Sequence, residues 1–138
     1  MGLLEELYQQ AIVEHDRRPH HYGRLEPPAI EVEGNNPSCG DELTLFLAHQ
    51  DGKVAVSFEG SGCAISRASA SMMTDLVAGV DAQRAKDLAG RFRAMMHGEP
   101  PDPALGEAVA LQGVSKLHAR VKCATLAWVT LEEALDRL

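Results

Sequence analysis

Asp51-Gly52 is the feature that most restricts the fold of this chain. An Asp-Gly pair suits the two positive-φ positions of a tight hairpin turn, and such a turn needs a strand on either side. Both are present: Glu42–His49 is rich in Leu, Thr and Phe, and in Val54–Phe58 the residues Val54, Val56 and Phe58 alternate with Ala55 and Ser57. A weaker alternation over Ala29–Glu33 offers a third strand, so the centre of the chain predicts a three-stranded antiparallel meander. The period then changes. Glu59-Gly60-Ser61-Gly62 reads as a turn, and Cys63–Val77 as a helix ended by Gly79. Asp81 is placed to cap a helix over Ala82–Met96. The Pro-rich stretch 98–103 is a break, 104–117 predicts one short helix with a turn at Gly113, and Val121–Leu138 predicts a last helix anchored by Trp128. Ahead of the strands, Leu3, Leu4, Leu7, Tyr8, Ile12 and Val13 form the stripe of an amphipathic helix over 3–15, followed by a loop over 16–28. The expectation is an α+β fold with helices packed on one face of the meander.

Length and charge narrow the function classes. At 138 residues, without repeats or a linker-like stretch, the chain reads as a single domain over 1–138. Its 13 basic and 20 acidic residues give a net charge of −7, which does not suit a nucleic-acid binder relying on a basic face. The longest run free of charged residues is Cys123–Leu131, far short of the roughly 20 apolar residues of a membrane span. The opening Met1-Gly2-Leu3-Leu4-Glu5-Glu6 has neither the basic nor the apolar region of a signal peptide, and Glu6 stands where a myristoylation signal wants Ser or Thr. With three cysteines, an odd number, the expectation is free thiols in a reducing compartment, the cytoplasm.

Those three cysteines sit in telling places. Cys39 lies in Asn35-Asn36-Pro37-Ser38-Cys39-Gly40-Asp41, a stiff, exposed turn just before a strand. Asp41 follows at i+2 and, on extended backbone, shares a side with Cys39. Cys63 joins a strand to a helix in Gly60-Ser61-Gly62-Cys63-Ala64-Ile65-Ser66, where the helix dipole favours a thiolate and the glycines allow close backbone approach. Cys123 lies near a helix start between the cations Arg120 and Lys122 and the following Ala124. Taken singly, each has a plain alternative: a solvated acid for Asp41, a buried cysteine under a tight turn for Cys63, a core cysteine for Cys123. No C-x-x-C pair is present, so spacing alone does not specify a metal site. Together, three thiolates and a carboxylate make a tetrahedral donor set of the kind that selects zinc or iron–sulfur.

These segments resemble the iron–sulfur cluster assembly proteins of the IscU/NifU N-terminal family, and within it the SufU branch. Leu7-Tyr8 through His15-Asp16 to Pro19 and Gly23 is similar to the family's opening helix, with Asp16 in place of the usual Tyr and His21 in place of the usual Asn. Asn36-Pro37-Ser38-Cys39-Gly40-Asp41, Gly60–Ser66 and Arg120-Val121-Lys122-Cys123-Ala124-Thr125-Leu126-Ala127-Trp128 resemble its three ligand motifs, in order, over nearly the whole chain. Two features resemble the SufU branch: Lys122 stands where IscU proteins carry a His, and the 59 residues between Cys63 and Cys123 exceed the IscU spacing through a Pro-rich segment near 91–113.

The resemblance implies a SufE/NifU-like fold and a site in which Cys39, Asp41, Cys63 and Cys123 hold zinc, with His118 a weaker rival ligand. It implies a sulfurtransferase-like partner of a SufS-type cysteine desulfurase, taking persulfide sulfur and passing it to downstream cluster assembly proteins. Cys39 is the expected acceptor, being on a turn with no helix behind it, with Asp41 tuning its release and Lys122 as an auxiliary charge. A partner imidazole, from a desulfurase His, would replace Cys39 on the metal meanwhile. Two alternatives stand beside this reading. One is an IscU-like scaffold that assembles and transfers a [2Fe–2S] cluster, with iron or a transient cluster in place of Zn2+. The other is a structural zinc domain.

Overall fold

In the computed structural model, which describes residues 3–26 and 30–138, helix α1 (Leu3–Arg17) leads through a loop to strands β1 (Ile30–Asn36), β2 (Asp41–Gln50) and β3 (Lys53–Ser61). Helices α2 (Ala64–Val77) and α3 (Ala82–Met96), a run of 3₁₀ turns over Pro103–Lys116, and helix α4 (His118–Asp136) follow. Met1, Gly2 and 27–29, including the expected first residue of β1, lie outside the described residues, as do the side chains of Leu3 and Leu4.

The sheet is the expected antiparallel meander, in the order β1-β2-β3. Asp51 and Gly52 both take positive φ, 53° and 78°, the pairing that a type I′ turn requires. Register follows from this turn. Val32 pairs with Leu45 and Leu45 with Phe58, while Ile30 pairs with Leu47 and Leu47 with Val56. These residues line one face and enter the core, where α4 lies across β1 and β2 and α2 packs on β3. The opposite face carries exposed Glu31, Glu33, Glu42 and Glu59, with Phe46 buried beneath the Arg24 guanidinium, 5.3 Å from its ring centre. Among the described residues no helix is long and apolar enough to cross a membrane.

Several local expectations shift. Glu59–Ser61 is not a turn: it extends β3, because Ser61, Gly60 and Glu59 pair with Glu42, Leu43 and Thr44. Gly60 allows that pairing, since a Cβ there would lie 2.2 Å from the Glu42 carbonyl oxygen. On α1 the inner face is Tyr8, Ala11, Ile12 and buried His15, whereas Leu7 and Val13 point to solvent. That face is set by packing against α2 and the 3₁₀ segment, which leucine and valine periodicity alone does not reveal. The break in the 3₁₀ segment is at Gly106, with φ 52° and ψ −129°, rather than at Gly113. Helix α4 starts at His118, so Cys123 lies in its second turn and not at its start.

Candidate metal centre

The two ends of the β1–β2 hairpin bring the first donors together. Asn36 and Asp41 are paired across the strands, and the Pro37–Gly40 turn between them is closed by the Cys39 and Gly40 N–H groups donating to the Asn36 carbonyl at 3.2 and 2.9 Å. Cys39 therefore sits in the turn, not on extended backbone. It meets Asp41 because the chain folds back at Gly40, whose φ is 73°, and not through strand alternation. The Cys39 thiol lies 3.7 Å from the Ala119 carbonyl oxygen, which ties the turn to the first turn of α4.

Asp41 is fully buried. Its Oδ1 accepts the Cys63 backbone N–H at 3.0 Å, and its Oδ2 lies 3.4 Å from the Asn36 side-chain amide. Gly62 makes room for it: a Cβ there would fall 2.4 Å from Oδ1. The glycine before Cys63 thus lets the backbone approach the carboxylate itself. Cys63 is the N-cap of α2, its sulfur accepting the Ser66 N–H at 3.5 Å. Cys123 comes from the buried stripe of α4 and is wholly enclosed, with the Asn36 amide 3.8 Å from its sulfur.

One ligand atom each from Cys39, Asp41 and Cys123 lies within 4.8 Å of the others. The Cys63 sulfur is not in this group; Cys63 joins it through its backbone N–H on Asp41, 3.0 Å away. Burial pushes the Cys123 thiol well above the ordinary thiol range, and Asp41, Cys39 and Cys63 push it further the same way. A divalent ion among these groups would oppose that rise on Cys123. The donor set is thiolate-rich and suits zinc or iron–sulfur. Expected rival His118 is the exposed first residue of α4, outside the group around Cys123.

The structure gives two neighbours a fuller part than the sequence does. Asn36 bridges Asp41 and Cys123, and its signal is its place opposite Asp41 across a four-residue turn. Arg120, three residues before Cys123 and so on the same helix face, is the flanking cation that faces the thiols. Its charge is held by Cys123 first, then by Cys63 and Cys39.

The NifU-like N-terminal domain family matches residues 7–124. An iron–sulfur cluster assembly scaffold protein, IscU, of Streptococcus pyogenes is 44% identical over 99% of this chain and 87% of its own length. The zinc-dependent sulfurtransferase SufU of Bacillus subtilis is 45% identical over 97% of this chain and 92% of its own. The crystal structure of a SufU iron–sulfur cluster assembly scaffold from Fervidobacterium islandicum superposes with a TM-score of 0.87 at 36% identity, covering 95% of this chain and 98% of that one. The chain belongs to the NifU-like N-terminal domain family, the family of the iron–sulfur cluster assembly proteins IscU and SufU.

Proposed function

We propose that this chain works in iron–sulfur cluster assembly as a zinc-dependent acceptor of persulfide sulfur from a SufS-type cysteine desulfurase. The observation that carries the reading is the inequality of the three thiols around one buried carboxylate. Cys123 is sealed in the core and Cys63 is fixed as a helix cap, whereas Cys39 is half-buried on a hairpin turn. The sulfurtransferase name of the Bacillus subtilis relative supports the same reading. Cys39, Asp41, Cys63 and Cys123 would hold the zinc, which when bound keeps the thiols ionised at neutral pH.

The chain's own part is then simple chemistry. The Cys39 thiolate attacks the outer sulfur of the desulfurase persulfide. A new sulfur–sulfur bond forms on Cys39, the old one breaks, and its electron pair leaves on the desulfurase cysteine as a thiolate. No net oxidant or reductant is needed. Arg120, beside the three sulfurs, offsets the negative charge that arrives with the persulfide. Asp41 stays anchored by the Cys63 N–H while the turn carrying Cys39 moves.

Mass spectrometry of zinc-loaded protein after incubation with desulfurase and free cysteine tests this. One added sulfur on Cys39 is the expected result, lost in Cys39→Ser; sulfur on Cys63 or Cys123 and never on Cys39 overturns the assignment. The second reading, a [2Fe–2S] scaffold, is supported by the name of the Streptococcus pyogenes relative and opposed by Lys122 where the IscU pattern has His. Anaerobically purified protein that is brown, with stoichiometric iron and sulfide, would favour it. A colourless protein with one zinc that does not stimulate the desulfurase would favour a structural site.

Gly62→Ala probes the carboxylate without touching a donor. Its methyl group would displace Asp41 Oδ1, and zinc affinity, measured by competition with a chromogenic chelator, is expected to fall about 10–100-fold with the fold retained. An unchanged affinity would remove Asp41 from the ligand set.

A further inference from the structure

Away from the cysteines, a second group of donors gathers where α1 ends against α2. His15, on the last turn of α1, is buried, with Nδ1 2.6 Å from Ser71 Oγ and Nε2 3.0 Å from Glu107 Oε2. The loop that follows brings His20, whose Nδ1 lies 2.5 Å from Asp75 Oδ2 and whose backbone N–H donates to Ser71 Oγ at 2.7 Å. His21 adds a third imidazole, Nδ1 lying 3.4 Å from Asp75 Oδ1 and 3.1 Å from Thr74 Oγ1. Ligand atoms of His15, His20 and Asp75 all lie within 4.8 Å of one another. Asp75 is twelve residues beyond Cys63 along α2, about 18 Å at the helical rise, so this group is separate from the thiol centre.

We propose that His15, His20 and Asp75 form a second metal site, for a borderline divalent transition ion such as Zn2+, Ni2+ or Co2+, with His21 and Glu107 available as further donors. Imidazole nitrogens with carboxylate oxygens are the set such ions favour. Bonds of 2.0–2.1 Å would put donors roughly 3.3–3.5 Å apart around a tetrahedral ion, within the 4.8 Å that bounds these ligand atoms. The His15 and His20 ring centres are 4.5 Å apart, so both rings can reach one ion, His15 exchanging one of its present hydrogen bonds for it. His15 supplies the fixed donor, locked by burial. His20 and Asp75 are partly exposed and can close on an ion by side-chain rotation. Bound there, the ion would tie α1 and its following loop to α2. The inference does not depend on the role proposed for the thiols.

Anaerobic titration of the reduced chain with Co2+ tests it, because thiolate-bound cobalt shows intense near-ultraviolet charge transfer and nitrogen–oxygen sites do not. Two equivalents are expected to bind, only one with the sulfur band. His20→Ala and Asp75→Ala change partly exposed side chains, so the fold should survive. Each is expected to weaken the second equivalent at least about tenfold and leave the sulfur band intact. A single equivalent that carries the sulfur band in the unaltered protein, or a nitrogen–oxygen equivalent of unchanged affinity in both variants, overturns the proposal. If the sulfur band is missing throughout while His20→Ala still removes one equivalent, the thiol centre has failed as a metal site and this one has not.

Discussion

Stripping zinc from the protein with a strong chelator is expected to lower its thermal midpoint by about 10–15 °C. The four proposed donors come from the β1–β2 hairpin, the N-cap of α2 and the second turn of α4, which are far apart in sequence. An ion bound only by the folded form adds its binding free energy to stability, about 2.7–4.1 kcal/mol when free metal exceeds Kd by 100- to 1,000-fold. For a chain of this size that corresponds to a shift of the stated order. Asp41→Asn separates the ligand's role from the carboxylate's own burial. It keeps the shape beside Gly62, and it should shrink the gap between zinc-loaded and stripped midpoints at least by half. A full gap in the variant would mean that the carboxylate does not hold the ion. Acid should weaken zinc binding, because the thiols must lose protons to bind. The stripped protein behaves in the opposite sense. The Cys123 thiol is raised above its ordinary value, so its contribution is complete below about pH 8.5 and is lost as pH rises beyond that.

Where a signal is local, the chain is legible as sequence. Asp51-Gly52 dictates a hairpin, and the strands on either side are found there. Asp81 caps α3 by accepting the Arg84 N–H at 2.7 Å, and that helix spans the expected Ala82–Met96. Motif residues single out Cys39, Asp41 and Cys123, whose ligand atoms lie within 4.8 Å of one another, and Cys63, whose backbone N–H reaches Asp41. What escaped depends on residues distant in the chain. Glycine-rich Glu59–Gly62 looks like a turn until Glu42 and Leu43 are known to lie beside it. Leu7 looks like a core residue until the direction of α2 is known. No pattern in the loop histidines announces Asp75, 55 residues beyond His20. Asn36 gains its part only once α4 is laid beside the hairpin.

Trp128→Ala should be the most damaging single change in the core. Aromatic residues are only 4% of the chain, so the few present carry much of its buried area. The Trp128 indole is fully buried and stacks on Phe92, ring centres 4.5 Å apart and planes within 8°. Its N–H donates to Ser69 Oγ at 3.1 Å, and the Ser69 hydroxyl donates to the Ala124 carbonyl at 2.5 Å. This chain of contacts joins α3, α2 and α4. Two of those helices carry Cys63 and Cys123, and Ala124 is the residue next to Cys123. A truncation to alanine is expected to cost about 3–5 kcal/mol through lost packing and the cavity left behind. It also frees α4 to shift against α2, so zinc affinity should fall together with stability. Trp128→Phe keeps most of the stacked ring and leaves the Ser69–Ala124 bond in place. It should cost only about 1–2 kcal/mol, from the lost indole hydrogen bond and some packing, and keep near-normal zinc affinity. Denaturant unfolding of both variants, with zinc competition at native conditions, checks the pairing. If Trp128→Ala lost stability yet bound zinc as tightly as the unaltered chain, the core stack would not be what holds Cys63 and Cys123 in register, and the hairpin side of the site would have to do so alone.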